Sequence, residues 1–195
     1  QKAGVVTLDN GDTWSGNINH VNGEMNFDGV TKTTSATSKF NQTGGLLNMN
    51  NSTLTLKEGS AISGGKVDMD NTAASTLTIK NGVANAAQML MNDAASNLNV
   101  EKTDSSAVRT SLTVLGGSNI SEGTINLAGS TMNLVNSANI NGTADINVDS
   151  SSIINSASNG FIADQVNTQG LINAINYANG MGAMETYKAN DMNIG

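Results

Sequence analysis

Short runs in which every second residue is apolar recur along most of this chain. Ser52-Thr53-Leu54-Thr55-Leu56 returns as Ser75-Thr76-Leu77-Thr78-Ile79, as Ser96-Asn97-Leu98-Asn99-Val100, as Ser111-Leu112-Thr113-Val114 and as Ser130-Thr131-Met132-Asn133-Leu134. Most steps are about 20 to 23 residues, and one is shorter. A second family of pairs lies between them, at Met25/Phe27, Leu47/Met49, Val67/Met69, Met89/Met91, Ile125/Leu127 and Ile146/Val148, often after a glycine such as Gly23, Gly45, Gly65 or Gly123. A single apolar residue recurs between the two families, at Ile62, Val83, Ile120 and Ile140.

Alternation with period two places Leu54 and Leu56 on one face of a strand and Thr53 and Thr55 on the other. Strands of three to five residues cannot bury such a face alone. Stacking successive units along an axis covers each apolar pair with the next and pairs every backbone group above and below. The repeat therefore predicts an all-β parallel β-solenoid of about seven to eight coils, some 35 to 40 Å long at roughly 4.8 Å per coil. A β-sandwich also has short alternating strands, but its strands do not echo one another at a fixed spacing. Asn, Gly, Asp and Ser fill the corners, and the absence of proline leaves every amide free to join a ladder.

The segments Thr31 to Ser38 and Glu101 to Arg109 interrupt the repeat and read as loops bulging from the rod. Residues 1–160 form the repeat region, and 161–195 read as a cap or linker. Within the latter, Leu171, Ile172, Ala174, Ile175 and Ala178 recur at helical spacing, with Thr168 as cap and Gly180 as stop, which predicts a short helix over 165–180 covering the end of the core. At the other end, Val5 to Leu8 offers a strand whose free edge is available to a neighbour, and Trp14 falls where the first coil needs an end cap.

Composition narrows the functional classes. Only 3% of the residues are aromatic, so the core is built from Leu, Ile, Val and Met, and only 13% are charged, against a usual share of about 25%. The surface is polar without being highly charged. A net charge of −7 with Arg109 as the one arginine leaves no basic stripe for phosphates, so nucleic acid is not an expected partner. The lack of cysteine excludes disulfides and thiolate metal sites. It suits both a cytosolic protein and a bacterial chain exported before it folds. No run of about 20 apolar residues predicts a membrane span, and no charged-then-apolar leader opens at Gln1.

The strings from Gly45 to Leu56 (GLLNMNNSTLTL) and from Gly123 to Leu127 (GTINL), the latter followed by Ser130-Thr131-Met132-Asn133-Leu134, resemble the passenger repeats of bacterial autotransporters and related large adhesins. The likeness covers roughly residues 5 to 155. It implies a right-handed β-helix displayed outside the cell, at the bacterial surface. The membrane barrel that follows the passenger in such proteins is not in this sequence.

Few residues suggest chemistry. Lys66, Asp68 and Asp70 point outward around Val67 and Met69, with Glu24, Asn26, Asp28, Asn48 and Asn50 expected on the same face and Asp145, Asn147 and Asp149 further along it. Such a stripe has the oxygen ligands of a hard cation, but a solvated acidic and Asn ladder is the simpler account and the one expected. His20 reads as a turn histidine with no spaced partner, and Trp14 reads as an end cap or a sugar-stacking platform. The Thr53/Thr55 and Thr76/Thr78 pairs resemble an ice-matching lattice, but Asn97/Asn99 and Thr131/Asn133 interrupt it. No catalytic, cofactor or metal set is assigned. The expected role is a non-enzymatic extracellular structural or adhesive module whose partners are a second copy of itself, a cell-surface protein or a glycan. The alternatives are a fibre subunit stacking end to end and a carbohydrate-active β-helix.

Overall fold

A computed structural model describes residues 4–12, 14–69, 73–104, 108–135 and 138–156, together with the backbone of the strands Ile162–Thr168, Leu171–Ala174 and Lys188–Ile194. Through residue 156 parallel strands wind through about six turns of a β-solenoid, and no helix occurs among the described residues.

Each turn visits three faces. The first carries Val5–Asp9, Glu24–Asp28, Leu46–Asn50, Lys66–Asp68, the second half of Ala84–Met91, Asn119–Ile120 and Asn139–Ile140. The second carries Thr31–Thr33, Thr53–Leu56, Thr76–Ile79, Asn97–Glu101, Thr124–Ala128, Asp145–Val148, Ile162–Thr168 and Lys188–Ile194. The third begins with Ile18–His20, Phe40–Gln42 and Ala61–Ile62. It continues through the first half of Ala84–Met91 into Ser111–Val114, Thr131–Leu134, Ile153–Ser156 and Leu171–Ala174.

The two families of the sequence are thus spread over three faces. Ile125/Leu127 and Ile146/Val148 do not continue the Met25/Phe27 column as their spacing suggests, but stack under Leu98/Val100 on the second face. The eight-residue strand Ala84–Met91 causes the shift. It runs without a break from the third face onto the first, so that first-face strands shorten from five residues to two while third-face strands lengthen to four. The lone-residue family divides in the same way. Ile62, Ile120 and Ile140 are buried, whereas Val83 is 46% exposed and Asn85 takes the inward place instead.

Inward residues of the three faces meet in one core that includes Leu54, Leu56, Val67, Met69, Leu77, Ile79, Leu98, Ile125, Leu127 and Ile146, as the alternation predicts. The backbone around this core is closed by buried hydroxyls. At the corner between the first and second faces the Val30 N–H donates to Ser52 Oγ (3.0 Å), the Ser52 N–H to Ser75 Oγ (3.2 Å) and the Ser75 N–H to Ser96 Oγ (2.9 Å). Ser60, Ser118 and Ser152 serve the other corners in the same manner. Ser52, Ser75 and Ser96 open repeated strings, and each of the six serines supplies a partner for an amide that the ladder leaves unpaired.

Three aromatic rings fill the N-terminal end. Trp14 packs on Phe27 with centroids 5.6 Å apart, and Phe27 meets Phe40 edge-on at 6.0 Å. Lys32 holds the inward register of Leu54, yet its ammonium lies 4.6 Å from the Trp14 ring centroid and donates to the Trp14 carbonyl (2.8 Å). Trp14 therefore sits where the end cap is expected, and among the described residues the first-face strand Val5–Asp9 extends past it, with Val5 64% and Val6 39% exposed. At the other end, the helix predicted over 165–180 is strand where it is described: Ile162–Thr168 and Leu171–Ala174 continue the second- and third-face ladders. Val166 and Ile172 pair in register with Ile146 and Ile154 of the coils above, and this ladder outweighs the helical spacing. Residues 175–180 lie outside the described residues.

Two substitutions test this architecture. Leu77→Asp places an unpaired charge in the centre of the core and should abolish cooperative unfolding of the middle coils, read by far-UV circular dichroism. Ser75→Ala removes the acceptor of a buried N–H and should cost about 1 to 3 kcal/mol in urea titration.

Candidate functional site

Outward residues form rows because the strands stack in register. On the second face Asn147 donates to Asn126 (2.8 Å), Asn126 to Asn99 (2.9 Å) and Asn99 to Thr78 Oγ1 (3.1 Å). Asn155 donates to Asn133 (2.9 Å) on the third face, and on the first Asn48 donates to Asn26 (2.7 Å) and Glu24 (3.0 Å) and Asn50 to Asp28 (2.9 Å). Amide rows of this kind bond the coils side chain to side chain in addition to the backbone ladder.

The expected acidic stripe is present in part. Glu24, Asn26, Asp28, Asn48, Asn50, Lys66 and Asp68 share the first face, and the Lys66 ammonium sits 3.2 Å from Asp68. Asp70 lies outside the described residues. Asp145 and Asn147 are not further along that face, as expected, but on the second, because the strand Ala84–Met91 displaces the later columns by one face. Among the described residues, no three His, Asp or Glu side chains are grouped so as to hold a metal ion.

The two interruptions of the repeat come together at the edge between the second and third faces. Thr31–Thr33 is a strand, so the first bulge is confined to residues 34–38, where Ser35 and Ser38 bridge each other. The second starts after Glu101 and is tied back by the Thr103 N–H to the Val108 carbonyl (2.9 Å). Between them is a groove of about 270 Å³ lined by Ser35, Ala36, Lys57, Glu58, Lys80 and Asp104. Lys57 and Lys80 follow the paired residues Leu56 and Ile79, so they occupy the same position on successive coils. Asp104 lies between them, 3.4 Å from the Lys57 ammonium and 3.3 Å from that of Lys80. The hydrogen bonds and charge of Lys80 and Lys57 hold its carboxyl below the usual aspartate value.

Beyond Asp104 a second depression of about 420 Å³ is lined by Glu101, Lys102, Thr103, Asp104, Ala128 and Asp149. Burial raises the Asp149 carboxyl, but hydrogen bonds from the Ser152 hydroxyl (2.6 Å), the Gly129 N–H (3.0 Å) and Ser151 outweigh it and keep that group below its ordinary value. Arg109 takes no part in either depression; it donates to the Ser130 carbonyl (3.1 Å). The lysine pair was legible in principle, since Lys57 and Lys80 each directly follow a repeated apolar pair.

His20 is not in a turn. It ends the strand Ile18–His20 and points inward, fully buried, above Gln42. A strand position hides a polar residue from a search for alternating apolar pairs, which is why the third face is nearly invisible in the first turns. Its Nε2 meets the Gly23 carbonyl at 3.3 Å, and Gly45 passes directly beneath, where a Cβ would come within 2.6 Å of that nitrogen. Gly45 also has φ of 73°, so this position demands glycine for both reasons.

No protein-family model matches the chain, and neither a curated protein nor a solved structure matches it.

Burial lowers the His20 pKa, because the charged imidazolium would be cut off from water. The unfolded chain then takes up a proton at higher pH than the folded one, so stability is greatest above the ordinary histidine value of about 6.5 and falls as the pH drops through it toward the folded value. Thermal midpoints measured across this range should fall on acidification in the native chain and much less in His20→Asn.

Proposed function

We propose that this chain is a non-enzymatic structural and adhesive module of a surface-displayed bacterial protein. The observation that carries the reading is the continuous field of outward amide and hydroxyl rows on all three faces, set on a single aliphatic core. Rows fixed on stacked strands are rigid, so they present hydrogen-bonding groups to a surface partner with little further loss of side-chain freedom. Low charge density suits contact with a polar, uncharged or weakly acidic surface, and the repeats resemble those of displayed passengers.

End-to-end stacking into fibres is a weaker reading. A coil added to the N-terminal end would need the axial space that Trp14 and Lys32 occupy, although Val5–Asp9, Ile18–His20 and Thr31–Thr33 are each the end strand of a ladder there. Beads coated with the purified chain should be retained on cell or glycan surfaces several times better than albumin-coated beads, and equal retention would sink the adhesive reading. Turnover of a polysaccharide that disappears in Asp68→Asn would favour the enzymatic alternative instead. Sedimentation at rising concentration checks association: assemblies lost when residues 1–9 are removed would restore the fibre reading.

A further inference from the structure

We propose that Lys57 and Lys80 form an anion clamp for the acidic group of a saccharide, and that Asp104 is the clamp's built-in occupant. The inference rests on the adhesive reading and names the ligand class of one of its sites. Because Leu56 and Ile79 are partners in the ladder, the two lysines issue from adjacent coils at the roughly 4.8 Å spacing of neighbouring strands. Two ammoniums so placed converge on one oxyanion, and Asp104 demonstrates the fit: Oδ2 faces Lys57 and Oδ1 faces Lys80. The Lys80 ammonium donates a hydrogen bond to Oδ1 at 3.3 Å.

This occupant is replaceable. The Asp104 side chain is 62% exposed and Lys57 44% exposed, so water and salt screen the pair. Turning the Asp104 side chain away frees both lysines without disturbing the core. What remains is a groove lined by the two lysines, Glu58 and the uncharged Ser35 and Ala36.

The ground next to the groove selects the ligand. The outward residues of the second face in the same coils are Thr31, Thr33, Thr53, Thr55 and Thr76, a field of hydroxyls that leads to the edge where the lysines stand. Hydroxyls beside a cationic pair match a sugar that carries a carboxylate or sulfate among its own hydroxyls. An acidic peptide would leave that field facing apolar or amide groups. Carboxylate and sulfate share the required oxyanion chemistry, and the test separates them.

Binding of an oligogalacturonate, a heparin hexasaccharide and neutral maltohexaose is measured by calorimetry on the whole chain, on Asp104→Asn, on Lys57→Gln/Lys80→Gln and on the control Asp9→Asn. At least one acidic saccharide should bind Asp104→Asn about tenfold more tightly than the native chain, the gain expected if the clamp is otherwise occupied roughly nine-tenths of the time. The double lysine variant should lose that binding, while Asp9→Asn should match the native chain and maltohexaose should not respond. Equal affinity of Asp104→Asn and the native chain, equal gain from Asp9→Asn, or unchanged binding in the lysine variant would each overturn the clamp. Retention of coated beads on a surface together with any of these results would leave the adhesive reading standing and remove only this site.

Discussion

Every coil of this protein depends on the coils above and below it for its backbone hydrogen bonds. A strand of two to five residues has no partner within its own turn, so the N–H and C=O groups of the faces can be paired only along the axis. From that constraint follow the parallel register, the inward columns of Leu, Ile, Val and Met, and the outward columns of Asn and Thr. Corners need a separate solution, because the chain turns there and the ladder is interrupted. Buried serines provide it: Ser52, Ser75 and Ser96 each accept an amide from the coil before, so the corner is tied along the axis like the faces.

The cross-section is not constant. Before Ala84–Met91 the first face is broad and the third is narrow; after it the reverse holds. The core stays filled through this change because the long strand buries Asn85, Ala87, Met89 and Met91 in succession, spanning the corner that other coils make with a turn. A small residue, Ala87, lies where the two faces join, which leaves room for the backbone to pass close to the axis.

The architecture and most of the core were legible in the sequence because alternation and stacking come from the same residues. Leu54 to Leu56 and its echoes show period two directly. The third face was obscured for a physical reason: its inward positions in the first turns are His20, Gln42 and Asn85, whose burial depends on hydrogen bonds that no apolar pattern reveals. The column shift was obscured as well, since Leu98/Val100 and Ile125/Leu127 look alike whichever face they occupy. The lysine pair at the groove was half visible, because its register follows from the repeat, but the approach of Asp104 depends on a bulge whose course no repeat dictates. At the C-terminal end, helical spacing over four residues could not outweigh a ladder already running in register.

Repetition carries its own hazard, which bears on why polar side chains are tolerated inside. Coils that echo one another can slip by a whole turn and still bury their leucines, since Leu77 fits against Leu98 as well as against Leu54. Residues found only once oppose such slippage. Asn85 accepts from the Ile62 N–H and the Asn81 side chain, and its two N–H groups are shared among the Asn81 side-chain oxygen and the Val83 and Ser111 carbonyls. No other coil among the described residues offers that set of partners. Gln42 donates to the Lys66 carbonyl (3.0 Å), and His20 needs the bare Gly45 beneath it. Moving any of these by one coil would leave a buried polar group unpaired, at about 1 to 3 kcal/mol each, so the polar third face of the early turns sets a register to which the uniform apolar columns are indifferent.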